Sequence, residues 1–249
     1  MLAQRAHTVG SDGGFYPVAK NNRKGSGSNK FCLAVLAEDE ARLLTKRSRC
    51  VIFESVAGKN RERDTMAMAS VMLPLGTSAP PFALRDVVSG QIYSLDSFTG
   101  KTALLVMFIC RHCPYVVHVE QELAKMGRDY RDTGLAILAI SSNDPVSHPD
   151  DAPPRLKEMA ERLGFTFPFC FDETQDVAKA YRAACTPDFY LFDRERKLVY
   201  RGQLDDSRPG SNKPLTGCDL RAAIDAVLAG KPVDSNQKAS IGCSIKWKR

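Results

Sequence analysis

Several things are missing from this 249-residue chain, and each absence removes a class of function. No apolar run approaches the roughly 18 to 20 residues of a membrane span. The formal charge is +6, but the signs are mixed along the chain. No stripe of Lys and Arg interleaved with aromatics appears, so a nucleic-acid role is not expected. Eight cysteines are too few and too scattered for a disulfide scaffold. A second CxxC and an HxxxH are both absent, so no four-ligand zinc motif can be read. The opening residues MLAQRAHTVGSDGG lack the basic start and apolar core of a secretory signal, so a cytoplasmic, reducing compartment is expected. Internal repeats are not visible.

What is present begins late. Residues 1–65 contain VGSDGG and NNRKGSGSNK, rich in Gly, Ser, Asn and Lys, and are expected to form a flexible extension. Only FCLAVLAEDEARLL suggests a helix there. Glu38, Asp39, Glu40 and Glu62 argue against an organelle transit peptide, and translation is expected to start at Met66 or Met68. A folded domain is expected over residues 66–230. The tail, residues 231–249, is expected to pack on it and is polar except for Ile241, Ile245 and Trp247.

Within the domain, FALRDV and QIYSL alternate around Ser89-Gly90 and predict a hairpin. ALLVMFI (103–109) and LAILAIS (135–141) are continuous apolar runs of strand length, buried on both faces. Helices are predicted after Cys113, over 153–165 with Gly164 at the end, over 175–183, and after Thr216, which with Asp219 resembles a capping box. FYLFD and KLVYRGQL predict a late hairpin that adds antiparallel edge strands. Alternating strands and helices imply parallel pairing with helical cover, an α/β fold.

Cys110 and Cys113 form the one close cysteine pair. Cys110 follows a buried strand at a predicted helix start, where free N–H groups and the helix dipole favour a thiolate. Arg111 and His112 add positive charge. Only a thiolate attacks a disulfide, so Cys110 is the expected nucleophile and Cys113 the resolving cysteine. Two other readings stand beside this: a zinc-binding module completed by His118, Cys170 or Cys185, and two inert buried cysteines in a redox-inactive binding domain.

APPFALRDVVSGQIYSLDSFTGKTALLVMFICRHCP resembles the opening of a thioredoxin-like redoxin domain, in the branch shared by the AhpC/TSA group and small thiol-disulfide oxidoreductases. ISSND, DETQ, CTPDF, GQLDDSRP and the GCSIKWK segment are similar to those of uncharacterised bacterial thioredoxin-family proteins. The resemblance implies a three-layer α/β/α thioredoxin fold with a mixed central sheet and an N-terminal β-hairpin extension. It also implies a cis Thr186-Pro187 peptide facing the CxxC, with the Thr186 backbone pairing with an extended substrate. Arg111 and His112 would flank that substrate. The implied activity is thiol-disulfide exchange with protein or small-molecule disulfides and a thiol reductant. It requires no cofactor or metal, because the electrons reside in the dithiol, and a monomer is expected.

Departures refine the expectation. Where peroxiredoxins carry Pro and Thr or Ser before their cysteine, this chain has Ala103 and Met107, which disfavours the alternative of an AhpC/TSA-type thiol peroxidase. Where thioredoxin has a buried Asp, it has Leu104, so deprotonation of Cys113 falls to water, Glu120 or His118. Arg-His between the cysteines resembles the oxidising members, which implies a potential above thioredoxin's, roughly −270 mV.

Cys185, two residues before Pro187, is a candidate third redox cysteine. Cys243 could pair with Cys185 or Cys218, while Cys170 and Cys218 read as packing residues. An ordering salt bridge is expected among Asp205, Asp206 and Arg208. The loop holding Asp144 and His148 lies where α/β proteins place sites, but without a matching nucleophile it reads as structural.

Overall fold

The computed structural model describes residues 67–249. The expectations placed on residues 1–65 lie outside this range.

The two apolar runs are the middle of the fold. They form β4 (Ala103–Phe108) and β5 (Leu135–Ser141), parallel and in register from Ala103↔Leu135 to Phe108↔Ile140, with every residue buried. Burial on both faces leaves no polar side, which is why both read as unbroken hydrophobic stretches. Leu105 and Met107 face helices α1 (Pro114–Asp129), α2 (Pro153–Leu163) and α4 (Cys218–Leu228), meeting Leu123, Met159 and Ile224 in one core. Leu104, Val106 and Phe108 face the other way, into a second core with Phe82, Tyr181, Tyr190 and Phe192. Among the described residues, that second face carries the short α3 (Asp176–Ala180), the segment before β4 and Ile245 of the tail. The α/β/α layering is therefore present but lopsided.

Five more strands complete a seven-stranded mixed sheet: β2 (Ala83–Asp86), β3 (Ile92–Ser94), β6 (Phe169–Phe171), β8 (Asp188–Phe192) and β9 (Leu198–Gly202). The order is β3-β2-β6-β5-β4-β8-β9. The hairpin before β4 forms as predicted, with Leu84 opposite Tyr93. The late hairpin also forms, but β8 is an interior strand paired antiparallel with β4, and only β9 is an edge. Strand β6 was not foreseen, because three residues are too few to show a period.

Helix ends agree in part. Gly164 ends α2 in the left-handed conformation at φ 63°, where Gly carries no Cβ penalty. The predicted capping box at Thr216 does not form. Gly217 is the N-cap of α4, and the Thr216 and Gly217 N–H groups instead donate to the buried Asp205 carboxylate, both at 2.7 Å. A carboxylate eleven residues earlier has taken the donors a local cap would use. Helix α3 is shorter than predicted, with Gln175 as its N-cap.

A second, three-stranded sheet joins distant parts of the chain in the order β1-β10-β7. Its members are β1 (Ala67–Ala69), β7 (Cys185–Thr186) and β10 (Ile241–Ser244). The tail does not merely pack on the domain. It contributes β10, with Cys243 opposite both Ala67 and Thr186.

Candidate active site

Strand β4 ends at Phe108, and the chain bends before α1 begins at Pro114. Proline is tolerated there because the first N–H of a helix has no intrahelical partner. The helix N-cap is Cys113, whose carbonyl accepts from Val116 and Val117 at 3.0 and 2.9 Å. Cys110 lies before the helix rather than opening it, which corrects the expectation. The helix terminus therefore acts most directly on Cys113.

The Thr186-Pro187 peptide is cis and lies against both cysteines. Cys110 Sγ is 3.3 Å from the Thr186 hydroxyl, and Cys113 Sγ is 3.2 Å from the Thr186 carbonyl. Both cysteines have 0% exposure. The Thr186 backbone edge is already paired with Cys243 of β10. Gly242 permits this approach, since a Cβ there would collide with the Thr186 carbonyl and stand 3.1 Å from Pro187 N.

Three thiols meet at this point. The Cys110 thiol, the Cys243 thiol and the Cys243 backbone N–H all act on Cys113. These donors, Cys110 first, hold the Cys113 thiol far below its ordinary value. Burial, followed by the hydrogen bond to Cys113 and the charge of Asp151, pushes Cys110 well up. The first charge to form belongs to the pair as a whole.

The Arg111-His112 bend is held by Asp151, which is fully buried. Its Oδ1 accepts the N–H of Arg111 at 2.7 Å and of His112 at 3.2 Å. Its Oδ2 accepts from His112 Nδ1, and from Asn143 Nδ2 at 2.8 Å. Burial alone would lower the His112 pKa, but the hydrogen bond and charge of Asp151 outweigh it and raise it. Burial likewise raises Asp151, and the His112 hydrogen bond and charge more than offset it, so it stays a carboxylate. His148 stacks on His112 with centroids 4.8 Å apart. Asp144 has the structural role expected, accepting Val146 N–H and the Ser147 hydroxyl, but His148 belongs to the site. The sequence signal for Asp151 was its place in the loop after a parallel strand, where side chains converge on sites.

Cys110, His112 and Asp151 place one ligand atom each within 4.8 Å of one another. The His112–Asp151 hydrogen bond aims two of these donors at each other, so a shared metal would require both to turn.

Other candidates lie elsewhere. His118 pairs with the Ser207 hydroxyl at 2.9 Å, and Glu120 forms a two-pronged pair with Arg162 at 3.0 and 3.1 Å. Neither contacts Cys113, so neither is placed to take its proton. Cys185 is buried and directs its thiol at the Pro187 carbonyl, 3.8 Å away. Burial raises its pKa, as it raises that of Cys170 to about 12. Cys218 is exposed rather than packed. Cys113 is the strongest influence on Cys243, with Cys185 a weaker one. In the charged loop, Arg208 donates to the Asp205 and Ser207 carbonyls and to Gln203, not to the Asp205 carboxylate. The ion pair there is Asp206–Lys213. The sequence reading missed Asp188, directly after Pro187, whose pKa burial raises to about 7.

A mixed sheet, a dithiol beyond the end of its central strand and a cis-proline against both sulfurs define a thioredoxin-fold dithiol protein. A putative thiol:disulfide interchange protein DsbE from Chlorobium tepidum shares this fold, at 20% identity and a TM-score of 0.50 over 63% of this chain and 99% of that one. An uncharacterized conserved protein from Geobacillus kaustophilus is 55% identical, with a TM-score of 0.72 over 74% of this chain and 97% of its own. Residues 75–201 match the AhpC/TSA family, and the chain belongs to it. The thiol-disulfide oxidoreductase ResA of Geobacillus thermodenitrificans is 29% identical over 126 residues, which are 50% of this chain and 66% of that protein. The chain thus spans just under two thirds of that relative's length. Among the described residues, no helix is long and apolar enough to cross a membrane.

Proposed function

We propose that the protein is a thiol-disulfide oxidoreductase that works through Cys110 and Cys113. The carrying observation is the dithiol with both sulfurs held against the cis Thr186-Pro187 peptide. Its likeness to ResA supports the same reading.

Cys110 attacks the substrate disulfide, and its proton passes to the adjacent Cys113 thiolate. The protonated Cys113 then has the Thr186 carbonyl, 3.2 Å away, as its acceptor. One substrate sulfur leaves as a thiolate and the other remains bound to Cys110. Cys113 then attacks Cys110 Sγ, closes the internal disulfide, and gives its proton to the second leaving thiolate. This arrangement needs no Asp on β4, because Cys113 serves as the base for Cys110. Arg111 and His112 flank the incoming substrate, and Thr186 and Pro187 position it. The partners are protein or small-molecule disulfides and a thiol reductant, and the electrons are carried by the dithiol itself.

Trapping tests this directly. Cys113→Ser should accumulate mixed disulfides at Cys110, and alkylation of Cys110 should need a higher pH than in the unmodified protein. If Cys113→Ser and Cys110→Ser both fail to retain substrate, the exchange mechanism is wrong.

A further inference from the structure

Cys243 comes from the far end of the chain, yet three independent features bring it to the dithiol. Strand pairing sets it opposite Thr186. Gly242, lacking a Cβ, lets β10 close onto the Thr186-Pro187 peptide. Thr186, the strand partner of Cys243, also has its carbonyl 3.2 Å from Cys113 Sγ, and the Cys243 thiol and N–H both lower the Cys113 pKa. Cys113 therefore stands between two thiols, Cys110 and Cys243. We propose that Cys243 is a third redox cysteine that exchanges with the Cys110–Cys113 disulfide to give a Cys113–Cys243 disulfide.

The step balances without an added oxidant. The Cys243 sulfur, having lost its proton, bonds to Cys113 Sγ. The Cys110–Cys113 bond breaks, and its electron pair leaves with Cys110 Sγ, which takes up that proton. The oxidising equivalent enters earlier as a substrate disulfide, so the proposal rests on the exchange activity above. Charge favours the order. While Cys113 is a thiolate, it holds the proton on Cys243. Once Cys113 is bridged to Cys110 that charge is gone, which leaves burial to hold the proton on Cys243 and the nearby Lys246 to oppose it. The exchange would free Cys110 while the oxidising equivalent stays inside the fold.

Trypsin separates the three cysteines, because Arg111 lies between Cys110 and Cys113. The peptides are Thr102–Arg111, His112–Lys125 and Ala239–Lys246. Full-length protein would be oxidised with glutathione disulfide, quenched with an alkylating reagent and mapped by mass spectrometry. The expected result for Cys110→Ser is that most of His112–Lys125 is recovered linked to Ala239–Lys246. Cys110→Ala, checked for folding by circular dichroism, should give the same link. If both variants fold and both leave these peptides unlinked, alkylated or carrying glutathione, the proposal is overturned. Cys243→Ser separates the two readings, since it should still link Thr102–Arg111 to His112–Lys125. Loss of that link would count against the exchange activity itself, while the Cys110→Ser result still judges the third cysteine.

Discussion

The two sheets of this protein are built in opposite ways. The seven-stranded sheet grows from long, locally patterned segments, and its two middle strands are buried throughout. The three-stranded sheet is made of pieces two to four residues long, drawn from residues 67–69, 185–186 and 241–244. The large sheet supplies the core. The small one fixes what surrounds Cys113, since β7 carries Thr186 and β10 carries Cys243. Stability and chemistry are thus assigned to different sheets, and substitutions in each should separate them.

The largest effect should come from the large sheet. Leu105 is fully buried among Leu123, Leu191 and Ile224. Leu105→Ala should cost about 2–5 kcal/mol of global stability through lost burial and the cavity left behind. The check is the urea midpoint followed by circular dichroism. A loss below about 1 kcal/mol would mean that this core is not where the fold's stability lies.

Asp188 offers a pH-dependent test in the same sheet. It is 1% exposed on β8, accepts the Tyr190 hydroxyl at 2.9 Å, and has a pKa raised to about 7 by burial. In the unfolded chain its carboxyl ionises at its usual value of 3.8. Between these values the unfolded chain has released the proton and the folded one keeps it. The stability from this group is therefore full below pH 4 and is lost as pH rises through about 7. Asp188→Asn removes that loss and can still accept from Tyr190. Its stability relative to the parent should climb between pH 4 and 7 and level off above, by at most about 4 kcal/mol. Equal urea midpoint differences at pH 5 and pH 8 would contradict the burial argument.

Gly242→Ala addresses the small sheet. The added Cβ would strike the Thr186 carbonyl, so β10 must move away. Local release of about 1–3 kcal/mol is expected, with the global midpoint nearly unchanged. The chain's single tryptophan, Trp247, follows β10 in the tail and reports its position. Its emission should shift to the red, and alkylation of Cys110 and Cys113 should speed up about tenfold or more, since about 1.4 kcal/mol is a factor of ten. If Gly242→Ala lowers the global midpoint as much as Leu105→Ala, the division of labour between the sheets fails.

The same division explains what could be read from sequence. ALLVMFI and LAILAIS announced β4 and β5 nearly to the residue, because a strand buried on both faces has no polar position to interrupt it. FCF, CT and IGCS announced nothing, because so few residues carry no period. The CxxC and the cis-proline were legible as motifs, yet the electrostatic setting of the pair was not. It depends on the bend that starts α1 at Pro114 and on Cys243, which is 130 positions further along the chain than Cys113. Asp151 escaped for a related reason, since its four hydrogen bonds join Asn143 to the Arg111-His112 bend across distances in sequence that no local pattern spans.

Asp151 also governs the smallest predicted effect, on the wall of the site that the small sheet does not build. The Arg-His pair suggested an oxidising dithiol through a His112 cation. Asp151 sets its negative charge beside that cation and raises the Cys110 pKa. Asp151→Asn keeps a carbonyl for the Arg111 and His112 N–H groups but removes the charge. Two consequences oppose each other. Cys110 loses a repulsive neighbour, which favours its thiolate, and His112 loses the partner that holds its proton, which disfavours it. The Asp151 charge acts on Cys110 directly, whereas His112 still has the Cys113 charge to hold its proton once Asp151 is neutral. The first effect should therefore win. A stabilised thiolate stabilises the reduced form, so the potential should rise, on the order of 10–30 mV, where 30 mV corresponds to about 1.4 kcal/mol. Equilibration with glutathione measures this, and the His112 ring resonances should titrate at lower pH in the same protein. A fall in potential would give control of the dithiol to His112 and restore the reading that its sequence position first suggested.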